Sequence, residues 1–334
     1  MTVRAARLQA PRGAVAVDPV ELREPGPGEA LVRMEACGIC HSDLFVAAQE
    51  RLAVAPLTLG HEGIGRVEAV GAGVAGFAAG DRVGMTFLAT TCGACELCRT
   101  GRERFCPRQT NFGFSLHGAL TEYALAPAAG LVRVPADVPA ATLAPMCCAG
   151  WTAFGAVREA GLQPGQTVAL FGFGGLGHLA LAVARRRGLR VAVADVSEAK
   201  LEMARAAGAE ITAAGGSAGR TLQKEYGGVD AAIVLTGSAA AVPQAFKALK
   251  RLGTLVLVGV SLSQYELPLV DTVVKGIQIR GSYLGPRQDL EEVFALAGSG
   301  ALQPHVETHG IEETPELLER MKRGEILGRA VIRF

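Results

Sequence analysis

The stretch Thr167-Val168-Ala169-Leu170-Phe171-Gly172-Phe173-Gly174-Gly175-Leu176-Gly177 restricts the fold more than any other part of the chain. Its apolar start predicts a buried strand over Thr167–Phe171, its glycines predict a tight turn, and Leu176–Arg187, stopped by Gly188, predicts a helix. A G-x-G-x-x-G spacing says little alone. Here it separates a strand from a helix, and Asp195 follows the next predicted strand, Arg190–Ala194. In that context Gly172, Gly174, Gly175, Leu176 and Gly177 would bring backbone close to a pyrophosphate at a helix N-terminus. Asp195 would accept hydrogen bonds from the adenosine ribose hydroxyls and repel a 2′-phosphate, which favours NAD over NADP. Its blander role is a cap for the following helix.

The uncharged run from 167 to 184 raises the question of a membrane span. Its glycines, its histidine and its change of period midway fit a buried strand–turn–helix better. The surrounding texture agrees. Strands are predicted at Ala231–Thr236, Thr254–Gly259 and Ile277–Gly281, with a weak one near Ile211. Helices are predicted at Glu198–Ala207, capped by Ser197, and at Pro243–Arg251, stopped before Gly253. Strands alternating with helices over residues 150–285 mean an α/β, doubly wound parallel sheet. Residues 1–149 read instead as short strands broken by Gly and Pro, such as Ala30–Glu35, Gly63–Val70, Asp81–Met85 and Thr121–Ala126: a mostly β domain. A hydrophilic lobe, 90–107, interrupts it. Residues 286–334, with a helix at Asp289–Ala297 and a strand at Arg329–Phe334, are expected to return to that first domain. A length of 334 residues suits two full cores.

A net charge of +1 gives no electrostatic case for nucleic acid or an anionic membrane. Aromatics, 5% of residues, are too few for base-stacking platforms. The basic N-terminus, Met1 to Gly13, lacks the apolar core and cleavage site of a secretory signal. The eight cysteines cluster at metal-ligand spacings rather than as a disulfide framework, which points to a reducing cytoplasm.

Cys92, Cys95, Cys98 and Cys106 are four thiols within fifteen residues. They can enclose one tetrahedral zinc with no open position, the mark of a structural site; an iron–sulfur cluster is the rival. A second, dispersed set comprises Cys40, His61 with Glu62, and Cys147-Cys148. Two sulfurs and one nitrogen would leave a fourth zinc position open, as catalysis requires. Spacing alone does not prefer these residues over Cys37 or His117, and a lone cysteine pair is more often a pair of small buried hydrophobes.

These constellations, in this order, resemble the medium-chain zinc-dependent alcohol dehydrogenases, in their microbial, NAD-dependent branch. The matching runs are Cys37 to Asp43, Gly60-His61-Glu62-Gly63, the four-cysteine lobe, Cys148-Ala149-Gly150-x-Thr152, Gly172 to Gly177, Gly281-Ser282-Tyr283 and Gly328-Arg329. The likeness covers essentially the whole chain. It implies a Rossmann domain beside a GroES-like catalytic domain, with two zinc ions per chain. Cys40, His61 and Cys148 then look like the catalytic zinc ligands, and Glu62 like the carboxylate that approaches the metal during exchange. Asp43 would fix the tautomer of His61, and Ser42 would hydrogen-bond the substrate oxygen. His41 and Arg329 would face the cofactor pyrophosphate. Thr152, Val258, Val260, Ser282 and Leu284 would surround the nicotinamide, and Lys200 would join Asp195 at the ribose. The reaction implied is reversible hydride transfer between a primary or secondary alcohol and NAD+, with no nucleic-acid or membrane partner. A polyol or amino-alcohol substrate on the same scaffold is the alternative, and a non-catalytic zinc and cofactor sensor the remote one. The short Cys106–Cys148 interval resembles the tetrameric branch, with a dimer as the other assembly.

Two departures stand out. Many relatives carry a histidine two residues after the aspartate, completing a proton relay; here Phe45 occupies that place, so the proton is expected to pass from the ribose hydroxyl directly to water. Gln49-Glu50-Arg51-Leu52 forms a shortened loop where microbial relatives commonly place a tryptophan, while Trp151 is either a packing residue or part of a reshaped pocket. Cys37, Cys147 and His178 are expected to pack. His305 and His309 are expected at the surface, and the Arg185–Arg187 run is expected to cap the dipole of a helix C-terminus rather than bind nucleic acid.

Overall fold

A computed structural model describes residues 1–334. The first strands are β1 (Thr2–Leu8), β2 (Val15–Glu21) and β3 (Glu29–Gly38), followed by helix α1 (His41–Ala47). Then come β4 (Leu57–Thr58), β5 (Gly63–Val70), β6 (Arg82–Met85), β7 (Leu88–Thr90), α2 (Glu96–Arg99), β8 (Thr110–Asn111), β9 (Tyr123–Pro127), β10 (Leu131–Arg133) and α3 (Ala140–Leu143). Next, α4 (Ala149–Glu159) leads into β11 (Thr167–Phe171), α5 (Gly177–Arg186), β12 (Arg190–Asp195), α6 (Glu198–Ala206), β13 (Ile211–Ala214) and α7 (Ala218–Tyr226). These are followed by β14 (Val229–Val234), α8 (Ala241–Ala248), β15 (Leu249–Leu257), α9 (Leu269–Lys275) and β16 (Gln278–Gly281). The tail carries α10 (Asp289–Gly298), β17 (Val306–His309), α11 (Thr314–Lys322) and β18 (Arg329–Arg333).

The chain divides into two units, Met1–Ala149 with Pro286–Phe334, and Gly150–Gly285. In the first, β10-β6-β5-β3-β18-β17 form a sheet with β9 also paired to β3, beside a smaller sheet β2-β1-β4. The tail joins this unit because β18 completes the sheet: Val331 faces Gly38 and Ile332 faces Cys37 across an antiparallel pair. Ala30, Val32, Met34, Val67, Val83 and Ile332 alternate inward to build its core, each large side chain contributing about 1.5–3 kcal/mol by leaving water.

The second unit is a parallel sheet in the order β13-β12-β11-β14-β15-β16. Strand β11 is buried at every position, as a central strand covered on both faces must be. The strand order reverses between β11 and β14, where a doubly wound sheet opens a crevice at the carboxyl ends of its strands. The predicted mixed α/β fold is thus the observed one.

Several local expectations shift. Residues 249–251, read as the end of a helix, begin β15, because Leu249 pairs with Val229 of β14. Ser197 does occupy the N-cap position of α6, yet its side chain makes no capping bond; Asp195 Oδ1 accepts the Ser197 N–H at 3.0 Å instead. Arg185 and Arg186 do lie in the last turn of α5, as expected, and Arg185 also caps α6 by donating to the Ala207 carbonyl at 2.9 Å. His309 is only 15% exposed, held 2.8 Å from Glu313. No single helix is long and apolar enough to cross a membrane.

Candidate active site

Strand β3 delivers Cys37 and Gly38 to a short turn, and Cys40 starts α1. Asp43, in the first turn of α1, reaches back so that its Oδ2 accepts the Cys40 N–H at 2.9 Å. His61 and Glu62 stand immediately before β5. Gly60 makes their inward turn possible: its φ is +94°, and a Cβ there would lie 2.7 Å from Leu120 and 2.9 Å from the Cys37 sulfur. Cys148 follows a 3-10 turn, Ala144–Cys147, whose residues are all buried.

These three segments bring Cys40, His61, Glu62 and Cys148 together, with one ligand atom from each within 4.8 Å of all the others. His61 Nε2 and Glu62 Oε2 are buried without a hydrogen-bond partner. His61 Nδ1 meanwhile faces Asp43 Oδ1 at 3.5 Å, so the imidazole is oriented from one side and open on the other. Two thiols, an orphaned ring nitrogen and an orphaned carboxylate oxygen in a dry pocket are the donor set of a soft cation such as zinc.

Without a cation the four groups hold their protons unequally, and only Cys40 is drawn toward its ligating thiolate form. The Cys148 thiol hydrogen-bonds Cys40 and draws it well below its ordinary value, burial opposes this, and His61 and Arg329 add to the pull. Cys148 is pushed up in turn, first by that same bond and then by burial. Burial lowers the His61 pKa, but Asp43 and Cys40 together carry it well above normal. Burial pushes Glu62 up to about 8 against the pull of Arg329. Cys37 and Cys147 are both buried, and burial raises both thiols, as packed neutral residues require.

In the lobe, Cys95 Sγ lies 3.5 Å from Cys98 Sγ and 3.9 Å from Cys106 Sγ, with Cys92 to Cys98 at 3.8 Å. Zinc–sulfur bonds of 2.3 Å in a tetrahedron place sulfurs about 3.8 Å apart. All eight cysteines are free thiols. Backbone N–H groups of Ala94 and Cys95 bring Cys92 down to about 5, and burial raises Cys98 to about 11. Arg287, unnoticed in the sequence, braces the lobe's flank: its N–H donates to Glu103 at 2.7 Å and its guanidinium to the carbonyls of Leu88, Ala89 and Ala129.

In the second unit, Gly172 has φ +100°, and a Cβ on Gly177 would collide with the Gly172 carbonyl. Nothing lies within 4 Å of a Cβ on Gly174. The turn is thus closed beneath and open above, a backbone cradle at the start of α5 that suits a pyrophosphate. Asp195 Oδ2 accepts the Phe173 N–H at 2.7 Å, so the ribose-binding candidate also pins the glycine turn. His178 packs, with Nδ1 2.9 Å from the Gly174 carbonyl.

The other candidates differ in their exposure and partners. Ser42 Oγ lies 3.7 Å from Cys40 Sγ, at the edge of the cluster. His41 is exposed and Lys200 half-buried. Thr152 is buried on α4, and Trp151 beside it is fully buried, a packing residue before anything else. Val260 is 62% exposed, while Ser282 and Leu284 are buried and Ser282 Oγ has no partner. Arg329 turns one nitrogen toward Glu62. It is buried, and its Nη2 donates to Glu62 Oε1 at 2.5 Å and to the Ile39 carbonyl at 3.0 Å. Phe87, which the sequence did not mark, sets its ring edge-on to His61 at 5.1 Å and lies 6.4 Å from Phe114.

Comparison with known proteins places similar chains in one family. The family model described as alcohol dehydrogenase GroES-like domain matches residues 26–136, and that described as zinc-binding dehydrogenase matches 175–299. An alcohol dehydrogenase of Geobacillus stearothermophilus is 40% identical over 339 residues, covering 99% of each chain. The solved alcohol dehydrogenase of Aeropyrum pernix superposes with a TM-score of 0.92 at 32% identity, covering 99% of this chain and 100% of that one. A solved NAD-dependent alcohol dehydrogenase gives a TM-score of 0.90 at 29% identity, covering 99% of both.

Proposed function

Since the chain belongs to the medium-chain, zinc-type alcohol dehydrogenase family, we propose that Cys40, His61 and Cys148 are the catalytic zinc ligands of an enzyme working on a small alcohol. It is an oxidoreductase that interconverts an alcohol and its aldehyde or ketone with NAD+. The observation that carries the site assignment is the orphaned His61 Nε2, buried beside two thiols and turned away from its Asp43 support.

When bound, zinc supplies Lewis acidity that acidifies the alcohol hydroxyl or polarises the carbonyl, and NAD supplies the hydride acceptor and donor. The residues do the rest. Asp43 holds the His61 ring so that Nε2 is the free nitrogen. Ser42 Oγ, at the rim of the cluster, would hydrogen-bond the substrate oxygen and take the hydroxyl proton. Phe45 offers no base beyond that point, so no side chain at position 45 would carry the proton onward to solvent. Phe87 and Phe114 provide an apolar wall beside His61 that keeps the reacting carbon away from water. Glu62 is the further carboxylate that would stand beside the metal, grouped with its three ligands. Gly172 to Gly177 would cradle the pyrophosphate, Asp195 and Lys200 would take the ribose, and Thr152, Val258, Val260, Ser282 and Leu284 would surround the nicotinamide. Cys92, Cys95, Cys98 and Cys106 hold a second, structural zinc, giving two per chain.

A homo-oligomer, with four subunits as the family reading suggests, is supported by an unprotected face. The edge strand β16 is exposed at every residue. On the helix before it, Leu269, Val270, Val273 and Val274 are each more than 60% exposed; such an apolar face needs a cover. Eight free thiols favour the cytoplasm.

Metal analysis combined with NADH production from simple alcohols, benzyl alcohol and sorbitol, with NAD and NADP in parallel, tests the assignment. Turnover of an alcohol with NAD, abolished by Cys148→Ser, is expected. A fully metallated protein that reduces NAD with none of them would overturn it.

A further inference from the structure

Gly38 is a glycine for reasons of space, not backbone conformation. It ends β3 in extended register opposite Val331, its N–H donates to the Glu62 carbonyl at 3.0 Å, and it is not among the positive-φ residues. Alanine would suit that backbone. What it would not suit is the Glu62 side chain: a Cβ at position 38 would clash with Glu62 Oε2 and lie 3.0 Å from its Cδ and 3.1 Å from its Cβ. The Glu62 carboxylate therefore rests in the hollow left by the missing methyl group.

Around that hollow the carboxylate has few choices. Arg329 holds Oε1 from one side and is itself anchored to the Ile39 carbonyl. Oε2 has no partner, and the remaining direction leads to Cys40, His61 and Cys148, already within 4.8 Å. Main chain bounds the hollow, since β3 is fixed on both sides by β5 and β18. Filling it moves the carboxylate, not the strand.

We infer that Gly38 is a positioning residue that sets whether Glu62 rests beside Arg329 or enters the metal's coordination shell, by providing the space in which its carboxylate is parked. The inference rests on the reading of Cys40, His61 and Cys148 as a metal site and adds to it a determinant of how open that site stays. A three-ligand site keeps a position for substrate, whereas a site that takes Glu62 as a fourth protein ligand is closed.

The test is Gly38→Ala with cobalt in place of zinc, read without cofactor or substrate. Its absorption bands report the ligand set, and transfer to a chelator reports how firmly the ion is held. The single variant is expected to show altered cobalt bands and release slowed by about tenfold or more, the scale on which neighbouring groups act on a metal site. Gly38→Ala/Glu62→Asp, which retracts the carboxylate by one methylene, is expected to restore both toward the parent. A folded Gly38→Ala protein with parental bands and release overturns the inference, even if its melting temperature falls, because steric strain alone predicts that. If the single variant does not fold, a folded, parent-like double variant supports the inference, and a double variant that also fails to fold overturns it. A parent without cobalt–thiolate bands that depend on Cys148 overturns the metal reading, and the inference with it.

Discussion

Asp43 accepts the backbone N–H of Gly60 at 3.2 Å, so the residue that supports His61 also fixes the turn that carries it. The same carboxylate takes the Cys40 N–H, binding two ligand-bearing segments from distant parts of the chain to one point. Asp43→Ala would leave these buried donors unpaired, at about 1–3 kcal/mol for each group that finds no water. It is expected to lower metal affinity about 10–100-fold. Thermal unfolding and chelator competition read the two effects separately; unaltered affinity would refute the support role.

The four-cysteine lobe is expected to behave independently of that site. Cys98→Ser removes a sulfur lying 3.5 Å and 3.8 Å from two others. The expected result is loss of about one metal equivalent per chain, with NADH formation persisting at low temperature. Limited proteolysis should then cut first within residues 92–106. Loss of both metals together would contradict two separate sites.

What the sequence disclosed and what it hid divide along sequence distance. Strands Gly63–Val70 and Thr167–Phe171 were readable to the residue, because apolar runs bounded by glycine turns are local signals. The glycine turn and the four-cysteine lobe were readable for the same reason. The pairing of Glu62 with Arg329 spans 267 positions and has no local signature. The orientation of Arg329 therefore had to come from the fold, as did the approach of Phe87 to His61. Helix α1 has only the Cys40-x-x-Asp43 spacing of a capping box as its local signal, on residues that equally suit metal binding. Helix α11 was missed despite Pro315 in its first turn and Glu316 beside it.

Asp195 makes two backbone bonds, one to Phe173 and one to Ser197, with a different oxygen each. Asp195→Asn replaces one acceptor by an amide nitrogen that cannot accept, so one bond is lost at about 1 kcal/mol. Discrimination against NADP should weaken too, because the charge that repels a 2′-phosphate is gone. Comparing kcat/KM for NAD and NADP in parent and variant checks this. An unchanged ratio would assign Asp195 to the glycine turn alone.

Phe45 is half-buried on α1, and Gln49 Nε2 donates to its carbonyl at 3.0 Å. Phe45→His keeps that backbone bond and adds a base where this chain has none. If proton departure limits turnover, the variant is expected to raise kcat of alcohol oxidation in the range around pH 6.5 and above, where an imidazole can accept a proton. Identical pH–rate profiles for the two proteins would mean that release from the ribose hydroxyl carries no cost.

His117 gives the fold a pH dependence separable from that of the metal site. Its Nδ1 accepts the Thr58 N–H at 3.3 Å, which only the neutral ring can do. Burial lowers its pKa and the nearby Arg7 lowers it further. The unfolded chain would protonate this ring at about pH 6.5, whereas the folded chain resists to a lower pH. The unfolded state therefore binds more protons below about 6.5. The stability His117 contributes is fully present above that value and is lost as pH falls through its folded pKa. Melting temperatures of the parent should drop more steeply from pH 8 to pH 5 than those of His117→Asn, whose side-chain oxygen can accept the same bond without titrating. The carboxylates act alike in both proteins and cancel in the difference, so parallel curves would exclude His117 as the source.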